Sequence, residues 1–372
     1  MRISDIEVIG MRVPVEGRRQ EWGEDAVVVR VHTDEGLVGI GESDTSPEVL
    51  KAYVDAPYSH SSCMGLKEVL LGKDPDPIGD LWQEMYAGTT YLGRRGAAIH
   101  AISAIDIALW DIAGQARGVP VCELLGPRMH SDLPAYGTFI PTADPDASAA
   151  TALGLKDQGL VGAKIGGAAF GYDLDADLAH LEAMRAAVGP DFQLMVDLVG
   201  RWGTARRAET ALRLYRDIGL EWAEEPVPAD DFGGYAELSR DSGTTIAGGE
   251  ALETRFEFAT FMDVARPDVV QPDITRCGGI SEIMRIADLA VERQIRLVPH
   301  GFSTGILNAA TAHFLVSRPE AHLVEMSASD SPLFTDLVKD PVRADHGRVS
   351  PPTGAGLGVV LNDDVLDNYR IF

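Results

Sequence analysis

Three acidic residues recur at a near-constant interval in the second half of this 372-residue chain. Asp197 ends the apolar run Leu194-Met195-Val196, Glu224 ends Leu220-Glu221-Trp222-Ala223, and Glu250 ends Thr245-Ile246-Ala247-Gly248-Gly249. The gaps are 27 positions (197 to 224) and 26 positions (224 to 250). One strand–helix unit of a (β/α)₈ barrel takes about 25–30 residues, because eight units fill about 250. The interval therefore predicts a carboxylate at the C-terminal end of each of three successive parallel strands, the face on which such barrels hold their active sites. Three converging carboxylates repel one another unless something positive sits among them, and an all-oxygen donor set suits Mg²⁺.

Two further positions extend the series. Asp273 ends Val269-Val270-Gln271-Pro272-Asp273 and His300 ends Ile295-Arg296-Leu297-Val298-Pro299-His300, again 27 positions apart (273 to 300). Neighbouring strand ends would bring them together, and a carboxylate beside an imidazole fixes its tautomer and raises its basicity, as a general base requires. Lys164, on the second barrel strand, is predicted across the mouth from His300, with Glu325 near the end of the eighth strand. A ring of this composition fits one chemistry well: a metal-bound carboxylate substrate loses its α-proton to a base, and the metal stabilises the enediolate.

Each residue also has an ordinary reading. Taken singly, the three acids would be rim salt bridges, but clustered carboxylates without a counter-ion are costly. His300 and Asp273 could form a structural pair, Lys164 could simply neutralise the carboxylates, and Glu325 could be a plain rim carboxylate instead of a protonated donor to the substrate. Arg18 and Arg19 read as solvated loop charges, or as a clasp on the distal end of an acid substrate if their loop closes over the barrel. Trp22 and Tyr58 line a cap or merely pack.

The elements that must position these groups follow from periodicity. Ile3–Val13, Ala26–Thr33 and Leu37–Glu42 read as antiparallel strands with a turn at Asp34-Glu35-Gly36, and from Glu48 the pattern becomes helical, clearest over Ile99–Gln115 and stopped by Gly118 and Pro120. This predicts an α+β capping domain over residues 1–126. Beyond it, eight apolar strands alternate with helical stretches: Tyr136–Ile140, Gly162–Gly166, Gln193–Val199, Glu221–Val227, Thr245–Glu250, Asp268–Ile274, Ile295–Gly301 and His322–Ser327. The fold class is thus α/β, a (β/α)₈ TIM-like barrel over residues 127–345, with a tail, 346–372, that continues no strand–helix unit and is expected to pack on the cap.

Composition is that of a globular chain, 45% apolar and 24% charged. A net charge of −25 argues against nucleic acid or an anionic membrane as partner. Cys63, Cys122 and Cys277 are scattered without a C-x-x-C, which fits a reducing cytoplasm and neither a disulfide framework nor a zinc site. No signal peptide is read in MRISDIEVIG, and no uninterrupted apolar run approaches the ~18 residues of a membrane span. The expectation is a soluble cytoplasmic protein acting on a small carboxylate.

Set together, these motifs resemble the enolase superfamily, and within it the mandelate racemase-like subgroup, over nearly the whole chain. Gly39-Ile40-Gly41-Glu42 resembles the family's early cap-domain turn, and Ala104-Ile105-Asp106-Ile107-Ala108-Leu109-Trp110-Asp111 its cap helix. Leu124-Leu125-Gly126 resembles its junction, and Gly356-Leu357-Gly358 its C-terminal return. The resemblance implies that Asp197, Glu224 (the first Glu of Glu224-Glu225-Pro226) and Glu250 bind Mg²⁺, that Asp273 and His300 form the subgroup's dyad, and that the chain is a homo-oligomer. The muconate-cycloisomerase-like subgroup would instead carry a Lys at the end of strand six. Two departures matter. The family's Lys-x-Lys at strand two reads Lys164-Ile165-Gly166, so the second base is missing unless Lys164 itself moves into the role of opposite-face base, and Val199 stands where relatives often have Asn. A racemase needs a base on each face of the enolate. The asymmetry points to a Mg²⁺-dependent lyase dehydrating a sugar acid to a 2-keto-3-deoxy acid. In it His300 is the base, Asp273 orients it, Lys164 contacts the substrate carboxylate, and cap loops near Glu16–Asp25 and Ser43–Ser62 set specificity. The alternatives are a racemase, epimerase or cycloisomerase on the same scaffold, and a binding barrel that has lost activity.

Overall fold

The computed structural model describes residues 1–17 and 22–372. Arg18 and Arg19 lie outside the described residues. The chain opens with a three-stranded antiparallel sheet, β1 (Ile3–Arg12), β2 (Asp25–Thr33) and β3 (Val38–Ser43). Helices α1 (Pro47–Asp55), α2 (Leu66–Leu70), α3 (Ile78–Gly88), α4 (Thr90–Gly93), α5 (Ala97–Arg117) and α6 (Val121–Leu125) follow. The segment Gly39-Ile40-Gly41-Glu42, which the family resemblance makes a turn, lies inside β3 as the strand reading of Leu37–Glu42 has it, and is paired with β2 throughout. Glycine is needed there because the strand lies flat on α5: a Cβ on Gly41 would stand 1.9 Å from the Ala104 carbonyl oxygen.

Helix α5 is the pillar of the cap. Its residues are apolar nearly all round, which suits a buried helix, and Gly118 ends it in the left-handed conformation (φ 68°). By length and composition it could cross a membrane, contrary to the expectation that nothing in the chain approaches a span, but most of it is buried within the protein. Two acids break its apolar surface, and each is bonded to backbone N–H groups. Asp106 accepts from Ser281 N at 2.9 Å, and Asp111 accepts from Ile40 N at 2.9 Å and Leu357 N at 2.8 Å. One carboxylate thus fixes α5 to the barrel, and the other fixes it to β3 and to the returning tail.

Eight parallel strands form the second layer: β4 (Leu133–Phe139), β5 (Gly162–Gly166), β6 (Gln193–Asp197), β7 (Trp222–Glu224), β8 (Ile246–Gly248), β9 (Val269–Val270), β10 (Arg296–Leu297) and β11 (Val324–Ser327). They are ordered β11-β4-β5-β6-β7-β8-β9-β10, each next to its chain neighbour except where β11 returns to β4. The intervening helices are α7 (Pro145–Asp157), α8 (Leu174–Val188), α9 (Ala205–Leu214), α10 (Phe232–Asp241), α11 (Thr254–Val264), α12 (Gly279–Arg293) and α13 (Gly305–Val316). Among the described residues no ladder joins β10 to β11, and that seam is crossed by Gly301 N donating to Glu325 Oε2 at 3.0 Å. Strands β9 and β10 are shorter than the sequence suggests, because Pro272 and Pro299 have no N–H to continue the ladder. Tyr136, Met195, Trp222, Ala247, Val269 and Val298 plug the barrel below the site, with the Tyr136 and Trp222 rings edge-to-face at 5.4 Å. After β11 comes α14 (Pro332–Thr335), and the tail adds β12 (Arg348–Val349) and α15 (Asp363–Tyr369), with Ile371 N donating to Gly10 O at 2.8 Å.

Two outcomes test this joint. Gly41→Ala should lower the unfolding free energy by about 1–3 kcal/mol, the usual cost of overpacking, read as a lower urea midpoint; an unchanged midpoint would mean β3 lifts off α5 freely. Burial pushes the Glu42 carboxyl up to about 8 from 4.5, although the Thr304 hydroxyl acts the other way. The folded protein therefore holds this proton more tightly than the unfolded chain. The stabilisation is complete below pH 4.5 and is lost as pH rises through about 8. Glu42→Gln should gain stability relative to wild type across that window, and parallel pH–stability profiles for the two proteins would refute the assignment.

Candidate active site

Asp197, Glu224 and Glu250 are each buried, and one carboxylate oxygen from each lies within 4.8 Å of the other two. Asp197 and Glu224 stand opposite each other on β6 and β7, and Glu250 sits two residues past β8. Burial pushes the Asp197 carboxyl well above the usual carboxylate range, with Glu224 adding to the effect. Burial raises Glu224 too, although Lys164 pulls it down. Glu250 is held low in spite of its burial, by His300 and Arg276. Two neighbouring carboxylates that resist ionisation mark a place short of positive charge. Their all-oxygen donor set fits a hard cation such as Mg²⁺ and offers no thiolate or imidazole for a soft one.

His300 and Asp273 meet as the spacing suggests. His300 Nδ1 lies 2.6 Å from Asp273 Oδ2, while Thr275 N and Oγ1 both donate to Asp273 Oδ1 at 2.6 Å. His300 Nε2 faces Glu250 Oε2 at 3.1 Å. Burial works against the imidazolium, yet Glu250 and the Asp273 hydrogen bond raise the His300 pKa to about 10. The same hydrogen bond, against burial, holds Asp273 down at about 2. A fixed Nδ1 partner leaves Nε2 as the nitrogen available for proton transfer.

Lys164 does not line the cavity. It is fully buried, its Nζ 2.6 Å from Glu224 Oε1, 2.9 Å from Glu325 Oε1 and 3.8 Å from Asp197 Oδ2, above the Tyr136 ring. Against its burial, these carboxylates hold the ammonium charged. Glu325 is equally enclosed. It accepts from Thr138 Oγ1 and Gly301 N, and Lys164 keeps it ionised against its burial. Both residues lie beneath the metal-type ligands instead of on the rim.

The site cavity is small, about 40 Å³. It is lined by His300, Glu250, Arg276 and Asp197 together with Thr138, Ile140, Gly166 and Gly167. It shares Trp22, Ile140, Val199, Glu250 and Arg276 with the lining of an outer chamber of about 800 Å³ between cap and barrel. Trp22 thus lines the site, whereas Tyr58 is exposed on the surface. Gly166 leaves no room for a second base. It pairs with Asp197, and an added Cβ would lie 2.5 Å from the Asp197 carbonyl oxygen. Val199 has φ 47° and gives its N–H to Asp197 Oδ1 at 3.1 Å. For a β-branched residue that backbone is strained by roughly 1–3 kcal/mol.

Arg276 was missed in the sequence. Its only signal is that it is a cation three residues beyond Asp273, in a loop predicted to reach the barrel mouth. It is buried, ion-paired through Nη2 with Asp44 of the cap, and its Nη1 lies 3.4 Å from Glu250 Oε1.

Known proteins resemble this chain over nearly its whole length. The family model Enolase C-terminal domain-like matches residues 147–365, and the Mandelate racemase / muconate lactonizing enzyme, N-terminal domain matches residues 11–126. The D-galactarolactone cycloisomerase of Agrobacterium fabrum is 32% identical over 357 residues, covering 93% of this chain and 91% of that protein. The L-rhamnonate dehydratase of Saccharopolyspora erythraea is 33% identical over 365 residues, covering 93% and 86%. The structure of the 3,6-anhydro-D-galactonate cycloisomerase from Zobellia galactanivorans superposes with a TM-score of 0.90 at 30% identity over 100% of both chains.

The ties of Lys164 generate a prediction. Lys164→Met would leave Glu224 and Glu325 buried without their shared cation, which typically costs 3–5 kcal/mol, so the melting temperature should fall sharply. A variant of unchanged stability whose only defect is a raised KM would make Lys164 a substrate contact instead.

Proposed function

The chain belongs to the enolase superfamily, in its mandelate racemase-like subgroup, and we propose that this acid-sugar enzyme is a one-base β-eliminating lyase, dehydrating a sugar acid to a 2-keto-3-deoxy acid. The observation that carries the reading is the asymmetry of the cavity. His300, backed by Asp273, is on one side, while Thr138, Ile140, Gly166 and Gly167 offer no general base, among the described residues, on the other.

With Glu250 holding a cation, His300 loses the charge that most favours its imidazolium; neutral His300 Nε2 then takes the α-proton, and Asp273 steadies the imidazolium so formed through Nδ1. The same imidazolium then returns a proton to the departing β-oxygen, so a single residue serves as base and acid. Asp197, Glu224 and Glu250 would hold Mg²⁺, which when bound supplies positive charge for the substrate carboxylate as it becomes an enediolate. Lys164, between Glu224 and Glu325, fixes those carboxylates in place and offsets their repulsion. The carbon chain would pass Trp22, which lines both cavities, so that its hydroxylated remainder lies in the outer chamber.

A second reading has support from the relatives named as cycloisomerases. Abstraction of the α-proton is identical, but the β-oxygen expelled belongs to a ring and stays attached, so that the mass of the product is unchanged. Racemisation or epimerisation is disfavoured because it needs a base where Gly166 stands.

Incubation with a broad library of open and cyclic sugar acids plus Mg²⁺ should give a semicarbazide-reactive 2-keto acid. A product lighter by one water marks the lyase, and an isomeric one the cycloisomerase. EDTA should abolish turnover, and His300→Asn should lower kcat by about 10²–10⁴-fold, the usual worth of general base catalysis, while substrate still binds. Deuterium from D₂O at C2 of both stereoisomers, without water loss, would mark a racemase. Failure of every acid in the library would end the β-elimination reading.

A further inference from the structure

Three consecutive residues where β3 ends reach across to the barrel loops that carry the site. Glu42 accepts from Thr304 Oγ1 and, at 3.2 Å, from Leu307 N, holding the loop that follows His300. Ser43 Oγ donates to Thr275 O at 2.9 Å, and Thr275 is the residue whose N–H and hydroxyl both hold Asp273. Asp44 pairs with Arg276 Nη2, leaving Nη1 beside Glu250 at 3.4 Å from Oε1 and 3.5 Å from the carbonyl oxygen. The cap therefore holds the orienting acid and one metal-type ligand, each through a single intermediary, and the loop that follows the base.

The Asp44 contact has the sharpest consequence. A guanidinium is permanently charged and rigid, and this one is buried among carboxylates. Tethered by Asp44, it makes only a long contact with Glu250. Released, it would close on Glu250, the carboxylate already beside it, and compete for the oxygens a cation needs. We propose that Asp44 is a positioning residue of the cation site: by anchoring Arg276 it keeps Glu250 available to a divalent ion, so that ion binding and seating of the cap on the barrel form one coupled equilibrium. The inference rests on the reading of Asp197, Glu224 and Glu250 as a Mg²⁺ site.

Calorimetric titration with Mg²⁺ alone tests it. Asp44→Asn should bind Mg²⁺ about 10–100-fold more weakly, the usual effect of losing an outer partner of a metal site, and Asp44→Glu should restore most of the affinity. In an Arg276→Met background Asp44→Asn should cause no further loss, because the effect travels through the guanidinium. Unchanged affinity in Asp44→Asn, or an equal loss with and without Arg276, overturns the proposal. Failure of the wild type itself to bind Mg²⁺ would instead overturn the cation-site reading. Hydrogen exchange on the unmodified protein gives an independent arm that does not depend on a variant folding. Mg²⁺ should slow exchange in segments 38–46 and 300–308 but not in α8, and no change in the joint segments counts against the coupling.

Discussion

The structure depends on how much negative charge it places out of water at the barrel mouth. Asp197, Glu224, Glu225, Glu250, Asp273 and Glu325 are all at least nine-tenths buried. In a medium of low dielectric such a group cannot persist unless each carboxylate finds a cation, a hydrogen bond or a proton. The protein distributes three cations among them. Lys164 joins Glu224 to Glu325, His300 takes Asp273 and borders Glu250, and Arg276 borders Glu250 from the other side. Glu225 is left to protonation, since burial raises it to about 8. Asp197 has the poorest provision, with one backbone N–H and an ammonium 3.8 Å away. The shortfall of positive charge is therefore located beside Asp197, where the three ligand-type carboxylates converge.

The same constraint makes the site one-sided. The wall opposite His300 runs along β5, whose last residue pairs with Asp197 so closely that position 166 admits no side chain. A lysine there would have to displace the strand that presents a metal-type ligand. The missing base is thus built into the backbone, and the proposed elimination, a reaction one residue can serve twice, needs none there.

What could be read from the sequence divides along physical lines. The barrel, the carboxylate triad and the Asp273–His300 pair were legible because strand–helix units have a nearly fixed length and their strand ends point to one place. Depth along a strand was harder to judge. Lys164 and Gly166 share a face of β5, but Lys164 pairs with Met195, one layer below Asp197, so its ammonium meets the carboxylates from beneath and not from across the mouth. Glu325 is enclosed for a similar reason, beside Thr138 on the adjoining strand. Contacts between cap and barrel were out of reach. Asp44 and Arg276 are 232 positions apart, and no local pattern predicts which loop residues will face one another across a domain joint.

A net charge of −25 would oppose any anionic ligand at long range, but distance and burial rank the charges differently. At physiological ionic strength the screening length is about 8 Å, so the exposed acids act weakly on the site, whereas buried groups act almost unscreened. The buried carboxylates at the barrel mouth outnumber Lys164, His300 and Arg276, so the local field there is set by these groups and not by the exposed acids. A divalent cation held by Asp197, Glu224 and Glu250 would offset that local excess where an incoming carboxylate has to sit, with Arg276 on the wall beside it.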